Sequence, residues 1–378
     1  MATRRMILRT GAATILIAAT GGVWWGASRT PKRALAPWSF AIDGYGDARL
    51  DALAFAILAP NPHNRQPWLV ELVDDNAFEL TCDLDRRLPQ TDPFDRQITI
   101  GLGCFLELFR MAAAAQGYRA EIEAFPDGES QPRLDHRLVA RVTLGEMPPV
   151  KDPLFASVFE RRSTKEPYDI SRPVSEALLG KLMLNSRRGG TVNSGAIEGL
   201  RDLSWRAHKV ETLTPRTMQE SVDLMRFGKE EIDANPDGID MGGAAFELMN
   251  ISGLLTRNNV GDPASTAFKE GLKMYDGLLH SAMGYVWLTS PGNSRHDQIQ
   301  AGMDWVRLNL KATQIGLAVH PLSQALQEYE EMDHLYSELH SLLGVAAPAR
   351  LQMFARIGYG PKTAPSPRWP LETRLIEA

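Results

Sequence analysis

Apolar positions along this 378-residue chain form helical stripes in some stretches and strand-like runs in others. Leu50, Leu53, Ala54, Ile57 and Leu58 recur at helical spacing and predict a helix that Pro60 ends. Residues 68–73 and 78–84 read as strands joined through the Asp74-Asp75-Asn76 turn. Residues 98–117 carry apolar side chains on almost every face, which predicts a helix buried on most sides, and residues 294–316 read as a second buried helix. Strands are expected at 118–125, 136–144, 285–288 and 351–357. A short helix is expected at 155–162 and an amphipathic one at 174–186. Residues 191–208 hold a strand and a helix whose order the pattern does not fix. From 215 to 280 the chain is rich in Met, Gly and Asn and weakly patterned. The mixture predicts an α+β protein.

The two apolar helices also repeat each other. Arg96, Gly103, Ala113 and Gly117 are spaced by seven, ten and four residues, and Arg295, Gly302, Ala312 and Gly316 have the same spacing. Each set runs into a strand, so the pattern predicts two copies of one unit, residues 37–150 and 151–378. A ligand site is then expected where the copies meet.

Composition changes this picture little. Hydrophobic residues at 44% and charged residues at 23% are ordinary globular values, and a net charge of -5 leaves no basic footprint for nucleic acid. Cys82 and Cys104 form no metal-ligand spacing, and no metal set is expected from the histidines. The N-terminus is different. Arg4-Arg5 leads into a moderately apolar stretch, residues 10–27, followed by Arg29, Lys32, Arg33 and the Ala34-Leu35-Ala36 cleavage pattern. Residues 1–36 resemble a Tat-type export signal, which implies the Tat translocase as a partner and a periplasmic location. The alternative is an uncleaved anchor holding the chain on the outer side of the inner membrane.

Three stretches carry candidate chemistry. Asn61-Pro62-His63-Asn64-Arg65-Gln66-Pro67-Trp68 is a rigid loop that displays an imidazole, amides and a guanidinium toward a flat, polar-edged ligand. It reads equally well as a plain helix-to-strand turn. Arg161-Arg162-Ser163-Thr164-Lys165 gathers cations and a hydroxyl suited to phosphate, or caps a helix C-terminus. Near the C-terminus a proline-rich tail adds Lys362 and Arg368, and Pro321-Leu322-Ser323-Gln324 could offer backbone N–H groups. No GxGxxG, P-loop or GxSxG motif is present.

Together these stretches resemble the FMN-dependent nitroreductase family. Arg161-Arg162-Ser163-Thr164-Lys165 is similar to its R-[RH]-S-x-[RK] phosphate motif, and residues 60–68 are similar to its N-x-Q-P-W loop. The order departs from the family, because the two motifs lie in different copies. That arrangement resembles the Acg-like subgroup, in which one chain mimics the family's homodimer and a lid is inserted, here residues 215–280. The resemblance implies a three-layer nitroreductase-like fold and one FMN between the repeats. Arg161, Arg162, Ser163, Lys165 and Arg368 would hold its phosphate and ribityl chain. Pro62, His63, Asn64 and Gln66 would lie by the ring or support its loop, and Leu322 and Ser323 would lie by the isoalloxazine. It further implies NADH or NADPH as donor, a small nitroaromatic or quinone-like acceptor, no protein acid or base, and a monomer. A catalytically silent FMN-sequestering stress protein is the alternative. Where the family tail carries a lysine, Ser366 stands, with Lys362 as a possible replacement.

Overall fold

The computed structural model describes residues 28–183 and 187–376; residues 1–27 of the expected leader lie outside the described residues. After a helical turn at Lys32–Leu35 and a helix at Pro37–Asp43 comes α1 (Ala48–Ala56). Asp47 caps α1, its side chain accepting from the backbone N–H groups of Arg49 and Leu50. β1 (Trp68–Val73) and β2 (Ala77–Cys82) follow as a hairpin, then α2 (Arg96–Gln116), β3 (Tyr118–Ala124) and β4 (Ala140–Glu146). The second half supplies β5 (Arg188–Thr191), a long insertion, β8 (Gly284–Ser290), α6 (Arg295–Gln314), β9 (Ala318–Pro321) and β10 (Arg350–Gly358).

The two halves repeat one topology. In the first sheet the order is β1-β2-β4-β3, and in the second it is β5-β8-β10-β9. Each is therefore first-second-fourth-third, with a long helix between the second and third strands. The helices end alike, at Gly117 (φ 94°) and Gly316 (φ 77°), where a left-handed cap favours glycine. They also pack on each other reciprocally. A methyl group on Gly103 would land on the carbonyl oxygen of Ile299, and one on Gly302 would land on that of Ile100. Those four positions are paired by the repeat itself, so the contact is that of a two-fold axis within one chain. The first arginine of each helix follows the same logic. Arg96 donates to the carbonyls of Leu326 and Gln352 at 2.7 and 2.8 Å, and Arg295 to those of Ser130 and Pro132 at 3.1 and 3.0 Å. The expected α+β pseudo-dimer is what the chain forms.

A crossover completes the first sheet. Beyond β10 the proline-rich tail runs to the first half, where β11 (Leu375–Ile376) pairs parallel with β1. The main core is built around Trp68, Phe78, Phe105, Phe109 and Trp305, all buried.

Relative to the first repeat, the insertion occupies the whole interval between β5 and β8. It begins with α3 (Ser194–Leu213) and ends with α5 (Thr266–His280), which form a second core with Leu326, Leu335 and Leu339. Between them lie helices at Pro215–Asp223 and Gly228–Ala234, the parallel pair β6 (Met225–Phe227) and β7 (Ile239–Met241), and α4 (Ala244–Ile251). This middle part crosses to the first repeat. The Glu220 carboxylate accepts from the N–H groups of Gln90 and Thr91. Asp237 is buried against Arg86 at 2.6 Å, Arg226 at 2.9 Å and Arg65 at 3.4 Å.

Two expected helices are shorter than their patterns suggest. Only Phe155–Ser157 turns helically before the chain opens at Arg161, whose side chain is drawn to the first repeat. The amphipathic stretch forms a helix at Glu176–Gly180, capped by Ser175.

Candidate functional site

The Asn61–Gln66 loop carries unusual backbone geometry. His63, Asn64 and Gln66 all have positive φ (45°, 52° and 53°), a conformation that side chains with a Cβ resist. Pro62–Asn64 forms a single tight turn, so the loop is less free of helix than its two prolines suggest. Side chains hold it there. Asn61 Oδ1 accepts from Gln66 N at 2.7 Å, and the fully buried Gln66 bridges Pro236 O and Trp369 N. Asn64 donates to Pro367 O at 3.0 Å and accepts from Arg368 at 2.6 Å. Gln66 and Asn64 are thus spent on holding the loop to the insertion and the tail. The loop's shape comes from all three segments.

Arginines of the second repeat converge beside it. Arg161 is buried and donates through Nη2 to Leu58 O at 3.0 Å. Arg368, 2% exposed, donates to the same oxygen at 3.1 Å and to Ala59 O at 3.1 Å. Arg162 caps Phe159 O and Arg161 O at 2.7 Å each and lies over the Trp38 ring. Among the described residues, neither Arg161 nor Arg368 has a carboxylate within ion-pairing distance, and the Nε of each is buried without a hydrogen-bond partner. Burial and then neighbouring cations push the Arg368 guanidinium down to about 9, and burial pushes that of Arg161 down to about 10. Two buried cations held only by neutral carbonyls are costly unless an anion joins them. A phosphate group fits that deficit: it would add charge and acceptors where two donors are unmatched.

Lys165 is the centre of a second group. The residue is exposed, yet desolvation lowers its pKa, with Asp240 of β7 opposing. His63 is lowered to about 4, by burial first and then by Lys165 and Arg65, so it is neutral near pH 7. His320 is also lowered well below its ordinary value, by burial first and then by Arg356 and Lys165. Its Nδ1 accepts from Arg356 Nε at 3.0 Å; because arginine only donates, the ring proton sits on Nε2. Arg356 is itself fixed by four further oxygens and lies over Tyr168.

The structure brings together Arg161, Arg162, Arg368 and the Pro62–Gln66 loop, and it places His63 near Lys165. Ser163 lies half-buried between the arginines and Thr164, whose N–H donates to Val319 O. Leu322 differs from expectation. Its N–H is taken by Phe354 O and its side chain is buried in the second core, because β9 continues its pairing past Pro321. Ser323 opens the next turn and is half-buried. Lys362 does not replace the absent tail lysine: it is 82% exposed and pairs with Glu160 at 3.3 Å. Sequence reasoning missed Trp38, Asp240 and Asp237. Trp38 sits just beyond the leader and the two aspartates lie in the weakly patterned insertion, where nothing links them to either motif.

The fold is a two-repeat α+β chain in which buried cations of the second repeat meet a loop of the first. No family model matches the chain. A Mycobacterium tuberculosis protein assigned as an NAD(P)H nitroreductase is 25% identical over 350 residues, covering 87% of this chain and 94% of that one. The Acg protein of the same organism, also assigned as an NAD(P)H nitroreductase, is 40% identical over 81 residues, covering 21% of this chain and 24% of its own. Among solved structures, a nitroreductase-type protein from Anabaena variabilis aligns over 75% of this chain and 69% of its own, at 13% identity and TM-score 0.39. The Mycobacterium smegmatis FMN-dependent nitroreductase NfnB, in complex with NADPH, aligns over 56% and 92%, at 19% identity and TM-score 0.34. By sequence the chain is thus similar to NAD(P)H nitroreductases, Acg among them.

Proposed function

We propose that this chain is an exported FMN-dependent oxidoreductase that takes electrons from NADH, NADPH or another donor and passes them to a nitroaromatic or quinone-like acceptor. The observation that carries the cofactor is the buried pair Arg161 and Arg368, which has unmatched donors and no acidic partner. These two would hold the phosphate, with Arg162 and Ser163 beside it. Bound FMN supplies the redox chemistry, accepting a hydride equivalent and releasing electrons to the acceptor. The protein's share is binding, orientation and access. Lys165 places a cation near His63, where it would favour negative charge developing on a reduced ring. His63 and His320 are neutral there, so neither competes with Lys165 for that charge. No side chain is assigned as acid or base.

A second reading, a catalytically silent protein that binds or sequesters FMN, draws on the insertion. Residues 215–280 include the candidate lid, and Glu220 and Asp237 anchor it to the first repeat. A lid fastened this way would restrict an acceptor. The purified protein's visible absorbance tests the shared premise: a colourless protein that takes up no FMN defeats both readings. Anaerobic titration with NADH and NADPH then separates them. Bleaching of the flavin bands, followed by reoxidation with a quinone or nitroaromatic, supports the enzyme, whereas an unreduced flavin supports sequestration.

A further inference from the structure

Residues just after the apolar leader are built into the fold. Lys229 Nζ donates to Ser28 O at 3.3 Å, and Arg29 pairs with Glu247 of α4 at 3.1 Å. Ala34 is buried; its N–H donates to Asp233 Oδ1 at 2.9 Å and its carbonyl accepts from Arg368 N at 2.8 Å. Trp38 donates to Ser366 O at 2.8 Å while Arg162 and Arg368 lie against its ring. Cleavage after Ala36 would remove the Arg29 pair and both Ala34 bonds.

The surface around this entry point is apolar. Among the described residues, twelve large hydrophobic side chains are exposed; four of them sit on two helices of this region and a fifth just beyond one of them. Phe40 and Ile42 are on Pro37–Asp43; Leu248 and Ile251 are on α4, with Leu254 just beyond it. Ile251 is 71% exposed and Ile42 69%. The helices are linked through Lys32–Leu35, which packs on Gly228–Ala234, which packs on α4. Lys32 and Arg33 are exposed between them. Exposed apolar side chains beside cations, at the point where an apolar stretch joins the fold, have the composition of a membrane interface.

We propose that the leader is retained and that this face, Phe40, Ile42, Leu248, Ile251 and Leu254, rests on a lipid bilayer. The occupant follows from residues 10–27: that stretch is itself apolar in sequence, and Arg29, two residues beyond it, is paired with Glu247 of α4. Anionic headgroups would meet Lys32 and Arg33. The middle of the insertion would then be held between the bilayer and the first repeat.

The test uses the full chain reconstituted into vesicles of phosphatidylcholine and phosphatidylglycerol. Ile251→Cys is labelled with a polarity-sensitive fluorophore, and Glu146→Cys, on the exposed end of β4, serves as the distal control. Cys82 and Cys104 are both buried, which directs the label to the new thiol. Lipids brominated near the headgroup should quench the label at 251 several-fold more than at 146. Equal weak quenching on vesicle-bound protein would overturn the proposal, leaving the chain hanging from its leader alone. A blue-shifted label at 251 that is the same without lipid would also overturn it, in favour of the leader folding over the patch. Intact mass of the membrane-extracted protein supplies the second arm: a chain starting at Pro37 defeats retention.

Discussion

Arg161 and Arg368, one from each motif of the second half, both donate to the carbonyl oxygen of Leu58 in the first, at 3.0 and 3.1 Å. Neutral oxygens leave both guanidinium charges unbalanced, and the proposed function assigns that balance to a phosphate. Arg368→Gln should therefore weaken FMN binding by about 10- to 100-fold, roughly 1.5–3 kcal/mol for one charge-assisted contact. Fluorescence titration with FMN measures this, and undiminished affinity would refute the assignment. Inorganic phosphate should raise the melting temperature of the wild type more than that of the variant, since a ligand that binds only the folded state stabilises it by mass action.

The reciprocal glycines give a test of the two-fold core. Gly103→Ala and Gly302→Ala each place a methyl group on a backbone carbonyl of the opposite helix, where no side chain can rotate away. Each should cost about 3 kcal/mol or more, at the upper end of overpacking effects. Because both changes separate the same pair of helices, the double variant should lose less than the sum. Urea midpoints of the three variants check this, and full additivity would argue against a shared contact.

Much of this frame was legible in sequence. The Trp68–Val73 strand coincides with its pattern, and the two buried helices lie within two residues of theirs, because long apolar periodicity survives tertiary context. The repeat was legible because Gly103 and Gly302 answer a geometric demand that only glycine meets. β9 was legible only through the repeat, since four residues ending in Pro321 carry no period of their own. β11 has two residues and exists only through its pairing with β1. Most of the motif residues lie near one another in the fold, but sequence did not show their partners. That Gln66 ties down Pro236, or that Asp240 faces Lys165, depends on how the insertion crosses to the first repeat. Local pattern holds no record of that.

The insertion's attachment rests on Asp237 and three arginines. Asp237→Asn leaves Arg65, Arg86 and Arg226 with one fewer charge to share, and breaking a buried ion pair from one side costs on the order of 3–5 kcal/mol. Arg86 keeps Asp83 at 2.9 Å, so the loss should fall at the low end and be local. Hydrogen exchange at residues 225–241 should accelerate, and bound FMN should dissociate faster. Unchanged protection there would show that Glu220 and the Gln66–Pro236 bond suffice.

Acid stability provides the last test, through His208. The ring is stacked on Tyr275 at 4.2 Å and near Trp205 at 5.9 Å, and its Nδ1 is buried without a partner. Burial lowers it to about 4, below its ordinary 6.5. Between those values the unfolded chain binds a proton that the folded chain excludes, so stability falls as pH drops from about 6.5 toward 4 and is level above that window. His63 acts in the same direction, whereas Asp92, raised by burial to about 6, acts oppositely over part of the range. A difference measurement removes both. His208→Phe keeps a stacked ring and deletes the titration, so the wild type should lose roughly 1–2 kcal/mol relative to the variant between pH 7 and pH 5. Urea denaturation of both proteins at the two pH values gives that difference directly. Parallel losses would mean that His208 takes up its proton in the folded state as readily as in the unfolded one, and that its ring is not sealed between Trp205 and Tyr275.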